Sequence, residues 1–97
     1  MAVIQIVRFR TKVGVEDEAF RGVNERFQRE VAPTLPGLER REATRAADGE
    51  WLLALRYVDM DSAHGAMRSD NSDVSQALMA GIDMSSMSAA FYDVVSE

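Results

Sequence analysis

There is no cysteine among the 97 residues. That excludes disulfides, thiolate metal sites and a cysteine nucleophile, and it suits a reducing compartment, so a cytoplasmic location is expected. No Gly-rich loop is present to cradle a phosphate, no Ser-x-Gly-type elbow to present a nucleophile, and no His/Asp/Glu spacing suggests a metal. Long apolar runs are missing too. The opening MAVIQIVRFR is interrupted by Gln5 and Arg8 and is too short for a signal peptide, and no later run approaches bilayer length. A basic surface is the last absence: the net charge is −5 and the arginines are interleaved with glutamates. Neither a nucleic-acid nor a membrane partner is therefore expected, and the charge serves solubility.

What is present fits one domain over residues 1–97. Hydrophobic residues make up 46%, although a chain this short buries only about two-thirds of its unfolded surface. Val3 to Arg10 alternates as a strand, with Val3, Gln5, Val7 and Phe9 on one face and Ile4, Ile6, Arg8 and Arg10 on the other. Glu16, Asp17 and Glu18 suit the positive end of a helix dipole, and Phe20, Val23, Phe27 and Val31 then give a helix its buried stripe. Arg21, Glu25, Arg26, Arg29 and Glu30 form its solvated face. Pro33 ends the helix, and Pro36-Gly37 asks for a type II turn.

Leu38 to Arg45 is heavily charged (Glu39, Arg40, Arg41, Glu42, Arg45) and reads as a protected edge strand. Asp48-Gly49 marks a hairpin into Trp51 to Val58, so these two strands pair antiparallel. Asp59 or Asp61 can cap a short helix bearing Ala63, Ala66 and Met67. After the polar Ser69 to Asp73, a second helical run carries Val74, Ala77, Leu78, Gly81 and Ile82, and Ser86 to Val95 alternates as a last strand.

The order β-α-β-β-α-β predicts an α+β, ferredoxin-like domain: an antiparallel sheet with its helices on one face. The strand WLLALRYV, residues 51–58, is apolar on both sides. Helices can cover only one of them, and the other would leave an apolar patch larger than a soluble monomer usually shows. A homodimer, sheet face against sheet face, is the expected solution. Arg56 on that face would then pair with a carboxylate such as Asp93 across the interface.

The first strand followed by Gly14 and an acidic helix start, Pro36-Gly37-Leu38, the aromatic-ended third strand running into YVDMDSAHGAM, and the alternating final strand together form a pattern over nearly the whole chain. It resembles the dimeric α/β-barrel proteins that include the antibiotic biosynthesis monooxygenases and related haem-degrading enzymes. The resemblance implies a cleft between helices and sheet and, in some members, oxidation of electron-rich aromatics without metal or flavin. It therefore implies no cofactor and a small hydrophobic or aromatic ligand. The haem-degrading members carry an Asn, a Trp and a His where Val7, Met67 and Ala77 stand here, which argues against haem chemistry. Other members place a His at Met67.

Within that frame, His64, Tyr57 and Gln5 are the candidate catalytic residues, for proton handling and orientation. Trp51, Met67, Phe27 and Tyr92 are the candidates for substrate contact. His64 is the single imidazole, yet it sits about 100° around the helix from Ala63, at the flank of the buried stripe. Each residue also has a structural reading: a surface histidine, core aromatics, gap-filling methionine, an amide paired with a neighbour. A non-catalytic binding protein or a purely structural dimer of the same fold is the alternative to an enzyme.

Overall fold

The computed structural model of the protein describes residues 1–69 and 72–97, excepting the side chains of 67–69. The alternation at the start of the chain becomes β1 (Val3–Thr11), and the acidic turn opens α1 (Asp17–Arg26). Then follow β2 (Leu38–Arg45), β3 (Trp51–Tyr57), α2 (Met60–Ser69), α3 (Asp73–Ala80) and β4 (Ile82–Asp93). All strand pairs are antiparallel and the sheet order is β2-β3-β1-β4, so the fold is ferredoxin-like.

The core lies between one sheet face and the helices. Val7 and Phe9 of β1 and Trp51, Leu53, Leu55 and Tyr57 of β3 pack against Phe20, Phe27 and Val31, Ala63 and Ala66, and Val74 and Leu78. At one end three rings lock together. Phe9 and Trp51 are stacked with centroids 6.2 Å apart, and Phe20 meets Trp51 edge-on at 5.1 Å. Gly81 is needed there, because a Cβ on it would lie 2.8 Å from the Phe20 ring.

The turns follow their residues. Leu38 N–H donates to Leu35 O across Pro36-Gly37, and Gly37 has φ +78°, the type II geometry. Gly49, at φ +96°, follows a turn closed by Gly49 N–H to Ala46 O. Asp59 caps α2 by accepting from Ser62 N–H at 2.8 Å. Gly37 is doubly constrained, since a Cβ there would also overlap the Ser62 side chain. Gly37→Ala is therefore expected to lower stability by at least about 2 kcal/mol, combining a left-handed backbone with a clash. Urea denaturation measures it, and a loss below about 0.5 kcal/mol would show that the turn is not rigidly held.

Two expectations are corrected. The helical stripe stops at Ala80, and Ile82 already opens β4, buried and paired with Thr11. Gly81 ends the helix, its N–H bonded to Leu78 O, and its carbonyl accepts from Lys12 N–H, which ties the strand start to β1. Pro33 does not end the first helical stretch either, but sits inside its last turn. Phe27–Val31 continues as a wider π turn and Ala32–Thr34 as a 3-10 turn, which keeps Phe27 and Val31 on the core face.

The opposite sheet face carries no helix. The registers Ile4↔Arg56, Ile6↔Ala54, Ile6↔Ala90 and Ile4↔Tyr92 place these side chains together there, with Leu52 beside Arg8. Arg56 bonds Glu39 and Glu97 within its own chain. No helix among the described residues is long and apolar enough to cross a membrane.

Candidate functional site

Between the helices and the covered sheet face lies a cavity of about 300 Å3. Phe27, Ala66 and Leu78 form its roof, and Val7, Leu53 and Leu55 its floor. Met79 and Ala89 line it while themselves exposed, and so mark its mouth between α3 and β4. Among the described residues only Gln5, Arg41, Tyr57 and Ser75 bring polar groups to the wall, and no His, Asp or Glu among them lines it.

Sheet register sets the polar row. Arg41 on β2 pairs with Leu55 on β3, and Leu55 pairs with Gln5 on β1. Arg41 and Gln5 thus stand two strand spacings apart, about 10 Å, on the helix-facing side. Tyr57 lies two residues along β3 from Leu55, on the same face.

Sequence alone makes Arg41 one of the charges protecting an edge strand. It is in fact 6% exposed. The reason is a bulge: Leu38 pairs with Tyr57 but Arg40 with Arg56, so Glu39 is the extra residue. This reverses the alternation after Leu38 and turns Arg41 and Ala43 inward. The guanidinium stacks on the Phe27 ring, 4.7 Å from its centroid. Its Nη1 donates to Gln28 Oε1 and its Nη2 to Asn24 Oδ1, both at 2.8 Å, and the Gln28 Nε2 returns a bond to Arg41 O. Nε is buried without an acceptor, and no carboxylate among the described residues pairs with the group. Burial pushes the Arg41 pKa down to about 10, opposed by the nearby Tyr57 and Glu25, so it is still a cation at neutral pH. Burial likewise raises the Tyr57 phenol, opposed by Arg41. Tyr57 is therefore a protonated donor at neutral pH.

The structure brings Gln5, Tyr57 and Phe27 together at this cavity and leaves other candidates outside it. Trp51 belongs to the aromatic cluster with Phe9 and Phe20 and does not line the space. His64 is exposed on α2, its ring edge-on to Phe91 at 5.2 Å, and it does not reach the cavity. Tyr92 is 56% exposed on the helix-free face, where its alternation with Phe91 puts it. The Met67 side chain falls outside the described residues. Arg41 on the cavity wall and Asn24 behind it are the buried polar residues that the sequence reading misses. Their signal is faint: an Asn one residue off the apolar stripe of α1, and one arginine among several.

Neither a protein-family model nor a curated protein sequence matches the chain. Solved structures do. SnoaB, a cofactor-independent oxygenase from Streptomyces nogalater, is 17% identical with a TM-score of 0.79, over 99% of this chain and 95% of its own. Rv0793 from Mycobacterium tuberculosis is 18% identical with a TM-score of 0.74, over 100% and 98%. A Caulobacter crescentus protein named as a candidate antibiotic biosynthesis monooxygenase is 15% identical with a TM-score of 0.76, over 98% and 91%. The chain thus shares its fold with proteins of the antibiotic biosynthesis monooxygenase type, as the sequence pattern led one to expect. At these identities the likeness concerns the fold.

Proposed function

We propose that the protein is a cofactor-independent monooxygenase of a small aromatic or quinol-like molecule, bound in the cavity between helices and sheet. The observation that carries this reading is the cavity itself: about 300 Å3, apolar but for a few polar groups, and open at one end. A fold shared with an oxygenase that needs no cofactor supports it. The chemistry asks little of the protein. A substrate methylene activated by its flanking rings loses a proton, and the resulting anion passes an electron to dioxygen. The radicals combine to a peroxide anion, and after protonation this loses water to leave a carbonyl. In sum, one methylene and one dioxygen give one carbonyl and one water. The cavity excludes bulk water and fixes the ring, the Gln5 amide orients it, and the Tyr57 phenol donates a hydrogen bond to the oxygen that becomes negative.

A second reading, a binding protein without turnover, is favoured by the lack of a described carboxylate or imidazole on the cavity wall. Oxygen uptake with a panel of anthrone- and quinol-type compounds separates the two. Turnover is expected, reduced about tenfold or more in Tyr57→Phe and within about twofold of wild type in His64→Ala. No uptake with any compound removes the oxygenase. A large loss in His64→Ala would relocate the proton chemistry to α2.

The helix-free face completes the proposal. Ile4, Ile6, Leu52, Ala54 and Ala90 form an apolar surface that a second copy of the chain covers, giving a homodimer.

A further inference from the structure

A guanidinium buried without a carboxylate bonded to it gives up hydration that a charge acting only at a distance, here Glu25, returns in part. Arg41 is held in that state by the backbone: the bulge at Glu39 turns it inward, and Phe27, Asn24 and Gln28 fix its plane. Pinning α1 to β2 would not require a charge, since a neutral amide could bridge Asn24 and Gln28 equally well. What the cation adds is a positive potential on the low-dielectric cavity whose wall Arg41 helps form. The wall contains no described negative group to answer it.

We infer that Arg41 is the anion-binding residue of this cavity, and that the ligand it selects is the deprotonated form of a planar aromatic molecule, a phenolate or enolate whose oxygen faces the guanidinium. This inference rests on the proposed oxygenase reading for the ligand's class, and it assigns the charge complement that the reaction needs. Stabilising the anion favours deprotonation without a strong base on the wall. That accounts for a site with no described imidazole or carboxylate: the proton leaves through the mouth to solvent, and the electron-rich anion is what remains. The apolar floor of Val7, Leu53 and Leu55 then offers the surface that a flat ligand lies on.

The test uses 7-hydroxycoumarin, a planar bicyclic phenol whose two ionisation states have distinct excitation bands, under anaerobic conditions in which no turnover occurs. The apparent pKa of the bound dye is expected to fall by at least about one unit relative to the free dye, which is a roughly tenfold or greater preference for the anion. In Arg41→Met the shift is expected to vanish or reverse, because an apolar cavity alone favours the neutral phenol. Arg41→Lys should keep its direction at reduced size. An unchanged or raised pKa in the wild-type protein, no dye binding at all, or the same shift in Arg41→Met as in wild type would each overturn the assignment, the first two without relying on any variant. The two proposals fail separately. A downward shift with no oxygen uptake from any quinol removes the oxygenase and keeps the anion site, whereas oxygen uptake without the shift does the opposite.

Discussion

Leu52→Glu combined with Arg8→Ala is expected to yield a 10.8 kDa monomer, where the proposed homodimer would run at twice that mass. Leu52 lies on the helix-free face, opposite Arg8 on β1 and one row from the Ile6–Ala54 pair. A partner sheet closing over this face would take one new carboxylate per subunit out of water, at several kcal/mol each unless a cation met it. The nearest arginine on that face is Arg8, directly cross-strand from position 52, so the substitution is made together with Arg8→Ala to leave the carboxylate without a cation; Arg56, further along, is already engaged by Glu39 and Glu97. The dissociation constant should therefore rise at least about a hundredfold, equivalent to about 2.7 kcal/mol. Leu52→Ala, which removes contact without adding charge, should have a smaller effect. Sedimentation velocity at micromolar concentration reads both. A wild-type protein that sediments as a monomer would sink the dimer outright. The cavity would stand, because Leu52 points away from it and every wall residue comes from the chain itself.

Much of this architecture was legible because local rules and burial agree along most of the chain. Trp51 to Tyr57 alternates buried and half-buried residues along its length, as a strand between a core and a second apolar layer must. Pro36-Gly37 and Asp59 act where their chemistry puts them. The site was less legible, for a specific reason. Alternation along β2 read forward from Leu38 sends Arg41 to solvent, and a single inserted residue, Glu39, sends it to the core. Bulges leave no composition signal in a strand where five of the eight residues are charged. Only Ala43, small and apolar two residues on, hints at which side faces inward. Trp51 fails as a ligand contact by a different route: it is on the covered face, but at the end filled by Phe9 and Phe20, and face alone does not tell position along a strand. Residue type misleads at His64. Its value as a proton carrier makes it a candidate although the helical angle already places it at the flank.

Val7→Phe is expected to move stability and ligand handling in opposite directions. Protein interiors hold few voids larger than a water molecule, and a chain of 97 residues has little core to spare, so an apolar space of about 300 Å3 is packing that the fold forgoes. Val7 stands on the cavity floor between Leu53 and Ala89, and the small Ala89 leaves room for a ring to lie toward β4. The four added carbons bury apolar surface worth about 3 kcal/mol at roughly 0.8 per carbon, less the cost of strain in neighbouring rotamers. The folded state should gain about 1 kcal/mol in urea denaturation. Binding of the phenolic probe and turnover should both fall at least about tenfold, since the ring occupies the floor on which the ligand lies. A variant that is more stable but binds as before would place the ligand elsewhere, and one that is destabilised while losing ligand would show that the space is already filled by strained side chains. Stability gained where function is lost is the signature of a void kept open for use.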